Sequence, residues 1–109
     1  MNTQDCQLLP KGTVLHTVAF SLVHPKGSPA EAAFLADSLE ILGALHGVRD
    51  FTVCRQTSPK CKFEFALAMR FDSPSAFAAY NKNPVHCRYV EERWKKEVAD
   101  FQETDFEAL

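Results

Sequence analysis

The stretch Lys62-Phe63-Glu64-Phe65-Ala66-Leu67-Ala68-Met69-Arg70-Phe71 decides the fold. Phe63, Phe65, Leu67, Met69 and Phe71 occupy every second position, with Lys62, Glu64 and Arg70 between them. Side chains alternate across a strand, so this period specifies a strand with one strongly apolar face. The other face is not uniformly polar. Ala66 and Ala68 place two small apolar groups at its centre, which points to partial cover by a second surface.

Upstream, Val48 to Gln56 reads as a partner strand, with Phe51 and Val53 on one face. The short Thr57-Ser58-Pro59-Lys60 stretch makes the two a hairpin. Further upstream, Val14 to Val23 is a first strand. Val14, His16, Val18, Phe20 and Leu22 share one face, and Leu15, Thr17, Ala19, Ser21 and Val23 the other. A strand apolar on both sides is expected to be covered on both sides. After the break at His24-Pro25-Lys26-Gly27, Ser28 caps a helix with Pro29 in its first turn. That helix is predicted to run to about His46, with Leu35, Leu39, Leu42 and Leu45 as its buried stripe and Gly47 as its stop.

Downstream, Ser73-Pro74 starts a second helix to about Lys82, with Phe77 and Tyr80 on one face. Asn83-Pro84 breaks it and starts a third, predicted to reach about Val98, with Val85 or His86, then Tyr89-Val90, Trp94 and Val98 along its stripe. Ala99 to Phe106 reads as a closing strand. The order is strand, helix, strand, strand, broken helix, strand. This is the ferredoxin-like α+β arrangement: a four-stranded antiparallel sheet with its helices on one face. The bare face, carrying Leu15, Ala19, Ala66 and Ala68, predicts a homodimer packed sheet against sheet.

A chain of 109 residues fits one domain, assigned to 13–109 after a loose polar tail at 1–12. The tail lacks the apolar core of a signal peptide, so the expected location is the cytoplasm. Net charge is -2 with acids and bases interleaved, which gives no electrostatic support to nucleic-acid binding. No apolar run reaches the roughly 18 residues of a membrane span. Cys6, Cys54, Cys61 and Cys87 form no paired zinc spacing and are expected to be free thiols, with a Cys54–Cys61 bridge across the hairpin as the alternative. No metal or other cofactor is expected; a divalent-cation site at the dimer surface is a weaker third reading, with no carboxylate cluster in the sequence to support it.

The candidate site is the helix break Tyr80-Asn81-Lys82-Asn83-Pro84-Val85-His86. It sets a phenol and an imidazole on either side of the turn. The first helical turn disfavours a protonated His86, and a neutral imidazole beside a phenol suits general acid–base work. The same residues also suit plain aromatic packing. His16 is either a hydrogen-bonded core histidine or a pocket wall, and Tyr80 either a core aromatic or a site group. Phe77 and Tyr89 are candidate ligand contacts. Tyr89 and Trp94 also have the spacing of core or dimer aromatics, and Glu91 to Glu97 that of a solvated face.

Several scattered stretches resemble the stress-responsive α/β-barrel domain family, Dabb. They are His16-Thr17-Val18-Ala19-Phe20, Gly47-Val48-Arg49-Asp50-Phe51, Arg70-Phe71-Asp72-Ser73-Pro74, the Tyr80, Pro84 and His86 set, and Asp100-Phe101. Asn83 and Cys54 depart from the His and Gly that many members carry there. The resemblance implies a ferredoxin-like protomer, a homodimeric barrel and no single function. One member is a polyketide cyclase that closes a ring by aldol chemistry without a cofactor, and its pocket tyrosine and two histidines match Tyr80, His86 and His16. Two functions follow as expectations. One is a dimer that binds a small molecule between sheet and helices. The other is a cofactor-independent enzyme in which His86 takes a proton alpha to a carbonyl, Tyr80 polarises that carbonyl and His16 orients the substrate.

Overall fold

A computed structural model describes residues 7–109. The first half of the expected tail, 1–6, lies outside the described residues, as does Cys6. The elements in chain order are β1 (Val14–Leu22), α1 (Pro29–Gly43), β2 (Arg49–Arg55), β3 (Phe65–Phe71), α2 (Pro74–Lys82) and α3 (Pro84–Tyr89). A π-helical turn (Val90–Trp94), the short α4 (Lys95–Glu97) and β4 (Val98–Glu107) complete the chain. The strands form one antiparallel sheet in the order β2-β3-β1-β4. This is the ferredoxin-like fold, with the helices on a single face.

The alternation read in β1 and β3 is the alternation of burial. Val14, His16, Val18, Phe20 and Leu22 are buried, as are Phe65, Leu67, Met69 and Phe71. Paired residues such as His16 and Met69, or Val18 and Leu67, stand side by side on the helical face. Phe20 packs against Phe34 of α1, Phe65 and Trp94, at ring-centroid distances of 6.1, 5.7 and 5.1 Å. Burying an aromatic of this size contributes about 1.5–3 kcal/mol. The opposite face carries Leu15, Thr17, Ala19, Ala66 and Ala68, all half-buried within the single chain.

Helices α1, α2 and α3 each start on a cap foreseen in the sequence. Ser28, Ser73 and Asn83 accept the backbone N–H of Glu31, Ala76 and Val85, each followed by proline. Other elements differ from expectation. Helix α1 stops at Gly43, and two tight turns carry the chain to Gly47, whose φ of +85° needs glycine. Its buried stripe is Glu31, Phe34, Ser38 and Leu42, while Leu39 is 51% exposed. The helix lays Phe34 on Phe20 and Ser38 against Tyr89, which turns the leucine edge outward. The third helix does not run evenly to Val98. It passes through the π turn, and Val98 opens β4.

The hairpin loop is longer than the Ser/Pro stretch suggested. Strand β3 begins at Phe65, and Gln56 ties the loop by donating to the carbonyls of Cys61 and Phe63. Asp50 sits at φ 53° where the β2–β3 register shifts. Cys54, Cys61 and Cys87 are free thiols. Among the described residues, no helix is long and apolar enough to cross a membrane.

Candidate functional site

Between β1, the β4 edge and the helical cover lies a half-open cavity of about 320 Å³. Val18, Leu42, Leu67, Tyr89, Val90, Trp94 and Phe101 give it an apolar, aromatic wall. His16, Glu103, Tyr80, Asn81, His86 and Lys95 supply its polar groups. A largely apolar hollow with a few convergent polar groups is the usual form of a small-molecule site.

The walls come from local chain geometry. His16 is the second inward residue of β1, so it reaches the cavity from the sheet floor. Tyr80 ends α2, and His86 follows it across the Asn83 cap in the first turn of α3. The break folds the two rings together at a centroid distance of 4.4 Å. The π turn adds one residue to the helical repeat and sets Val90, Trp94 and Lys95 on the wall. Such bulges occur frequently at functional sites.

Of the sequence candidates, His16, Tyr80, His86 and Tyr89 meet at this cavity. The His16 and Tyr80 rings lie 6.3 Å apart. Phe77 stands apart from them. It packs behind His16 at 4.9 Å and against Phe71 at 5.1 Å, and it does not line the cavity. It braces the His16 ring. His24, just past the end of β1, binds Glu97 at 2.7 Å with only 20% of its side chain exposed.

Burial holds the His86 ring below the ordinary histidine range, and neighbouring His16 adds to this while the Asn81 backbone opposes it. Its Nδ1 is buried with no hydrogen-bond partner among the described residues. Burial likewise raises the Tyr80 phenol well above its usual range, so it remains a hydrogen-bond donor at neutral pH. Tyr89 is pushed up to about 12 by burial, although Ser38, at 2.6 Å from its hydroxyl, acts against this.

Sequence reading missed the β4 contribution. The β1–β4 register sets His16 opposite Asp105 and Val18 opposite Glu103. His16 Nδ1 lies 2.6 Å from Asp105 Oδ1 and 3.3 Å from Glu103 Oε2. Burial and then the neighbouring Asp105 raise the Glu103 carboxyl above the usual carboxylate range, against the pull of His16. The one signal available was the acid spacing Glu103-Thr104-Asp105 on a strand, which puts two carboxylates on one face. No carboxylate cluster was expected at this histidine. One nitrogen or carboxylate oxygen from each of His16, Glu103 and Asp105 lies within 4.8 Å of the other two, the only grouping of three His, Cys, Asp or Glu side chains of this kind among the described residues. The 2.6 Å contact is fully explained by Nδ1–H donating to a carboxylate.

The family model described as Stress responsive A/B Barrel Domain matches residues 14–108. The chain is 40% identical to a Dabb family protein with a ferredoxin-like fold from Mesorhizobium loti, with TM-score 0.89, covering 91% of this chain and 99% of that one. A dimeric ferredoxin-like protein of unknown function from Bacteroides fragilis is 22% identical at TM-score 0.66, over 89% of this chain and 97% of that one. A hydroxynitrile lyase from Passiflora edulis is 14% identical at TM-score 0.73, over 92% and 95%. Among curated proteins, no sequence matches the chain.

Proposed function

The chain belongs to the stress-responsive A/B barrel domain family, Dabb, and on that premise we propose that it is a homodimer binding a small molecule in the cavity between sheet and helices. The observation that carries this reading is the cavity itself. About 320 Å³ of mostly apolar space ends on polar groups from five separate elements, β1, α2, α3, α4 and β4, although the apolar core could have closed over it. A flat ligand of one or two rings suits the aromatic wall. The described dimeric relative supports the oligomeric half of the proposal.

The test is a small-molecule screen by NMR shift perturbation, paired with Val90→Trp. Val90 is half-buried on the wall, so the larger ring fills the hollow from the helical side. Shifts should cluster on β1, α3 and the π turn and vanish in the variant. Hits whose shifts map elsewhere, or that bind Val90→Trp equally well, would remove the cavity from consideration.

One observation favours a second reading. His86 keeps a buried, unpartnered Nδ1 next to the Tyr80 ring, and an unpaired buried polar group costs about 1–3 kcal/mol unless a ligand satisfies it. A cofactor-independent proton-transfer enzyme using His86 and Tyr80 would account for that cost. Turnover of an activated carbonyl substrate that persists undiminished in His86→Ala would exclude this role for His86.

A further inference from the structure

We propose that His16, held by Asp105, is the proton acceptor of the cavity, and that the ligand presents to it an acidic hydroxyl of the phenol or enol class. This rests on the cavity reading above. It moves the base from the helix break to the sheet floor.

The argument begins with the hydrogen bond. A carboxylate only accepts, so the 2.6 Å contact requires the proton on His16 Nδ1. In the neutral ring, the lone pair is then on Nε2. His16 is 7% exposed and lines the cavity, whereas Asp105 does not. Glu103, which does line the cavity, lies 3.3 Å from the same Nδ1, so carboxylates hold that edge of the imidazole and the opposite edge carries the Nε2 lone pair. This is the arrangement in which a carboxylate fixes the tautomer of a histidine and stabilises the imidazolium that forms. Phe77 packs on the same ring and limits its rotation. Asp105 is therefore a positioning residue, and His16 the group that meets the ligand.

His86 is less suited to the role. Among the described residues it has no carboxylate behind it, and a proton taken there would place a charge on a desolvated ring. The groups facing His16 also define the ligand. Glu103 and the Nε2 lone pair are acceptors, so this end of the cavity selects a donor and repels a carboxylate. The wall of Tyr89, Trp94 and Phe101 selects an aromatic or conjugated body. In the proposed step, the ligand O–H bond breaks and its proton joins Nε2. The oxygen keeps the electron pair as phenolate or enolate, while Nδ1–H stays on Asp105.

Two measurements test this. The first needs no ligand. Long-range ¹⁵N–¹H NMR of the histidine rings should show His16 as the Nδ1–H tautomer, and Asp105→Asn should shift it toward Nε2–H. A wild-type Nε2–H tautomer, or no change in Asp105→Asn, would overturn the assignment. The second uses 7-hydroxycoumarin, whose absorbance separates phenol from phenolate, in neutral buffer. Bound wild-type protein should raise the phenolate fraction over free dye. His16→Gln and Asp105→Asn should bind the dye but lower the bound phenolate-to-phenol ratio about tenfold, one pK unit of lost charge stabilisation. Dye that binds and stays neutral in the wild type, or a phenolate band that survives His16→Gln, would overturn the proposal while leaving the cavity intact. No binding to the wild type would count against the cavity reading and take this ligand class down with it.

Discussion

At the scale of single residues, two buried polar side chains differ in how their needs are met. His86 is held neutral by burial, with its folded-state value below the ordinary 6.5. The unfolded chain therefore binds a proton first as pH falls. Stability contributed by keeping His86 neutral is complete above 6.5 and is lost as pH falls from there toward the lower folded value. In urea melts across this range, His86→Gln should show a flatter pH dependence than the wild type. An unchanged slope would mean that the ring titrates normally in the folded protein. The Ser38–Tyr89 pair makes a second, asymmetric prediction. Ser38 donates to the Phe34 carbonyl at 2.7 Å whether or not Tyr89 is present, so Tyr89→Phe removes one bond and orphans nothing, at a cost of about 1 kcal/mol. Ser38→Ala strips the partner from a 4% exposed phenol and should cost more, about 1–3 kcal/mol. Equal losses in the two variants would show that Tyr89 finds another acceptor.

At the scale of elements, the break between α2 and α3 shapes the site wall, and one side chain sets it. Asn83 Oδ1 accepts the Val85 N–H at 2.9 Å and leaves Pro84 to open α3. Asn83→Ala should destabilise the protein by about 1 kcal/mol, and NMR should show the largest shifts at Tyr80 and His86. A loss of stability with both rings undisturbed would separate the cap from the site. This break was legible in the sequence because capping is local: Asn and Pro act on amides two or three residues away. The faces of β1 and β3 were legible because their period is two and their apolar residues are bulky. The α1 stripe was not. Two overlapping apolar rows exist on that helix, and the choice between them depends on what Phe20 and Tyr89 present, a tertiary fact. The His16–Asp105 contact, spanning 89 residues, depends on strand register that no local pattern encodes. The candidate site was thus readable as two rings at a helix break, but not as an imidazole backed by a carboxylate.

At the scale of the whole molecule, the bare sheet face is the proposed surface of the dimer. Leu15 and Ala19 of β1 and Ala66 and Ala68 of β3 form its small apolar centre, with Phe106 48% exposed toward the β4 edge. The charged residues lie off this centre: Arg49 and Arg70 pair near one end, and Arg49 also binds Asp72 at 2.9 Å. Small side chains at the middle let two sheets approach to about 10 Å, the spacing of aligned sheet packing. Because His16 projects from the opposite face of the same strand, the dimer would clamp the cavity floor without occupying it. Ala68→Glu should therefore separate the protomers. A carboxylate buried in such an interface without a partner costs several kcal/mol, and a two-fold axis doubles it. Light scattering should give twice 12.2 kDa for the wild type and 12.2 kDa for the variant. Since Ala68 is only half-buried in the single chain, the variant protomer should keep its fold, which far-UV circular dichroism would show. A wild-type monomer at micromolar concentration, or an Ala68→Glu dimer of unchanged affinity, would move the interface away from this face.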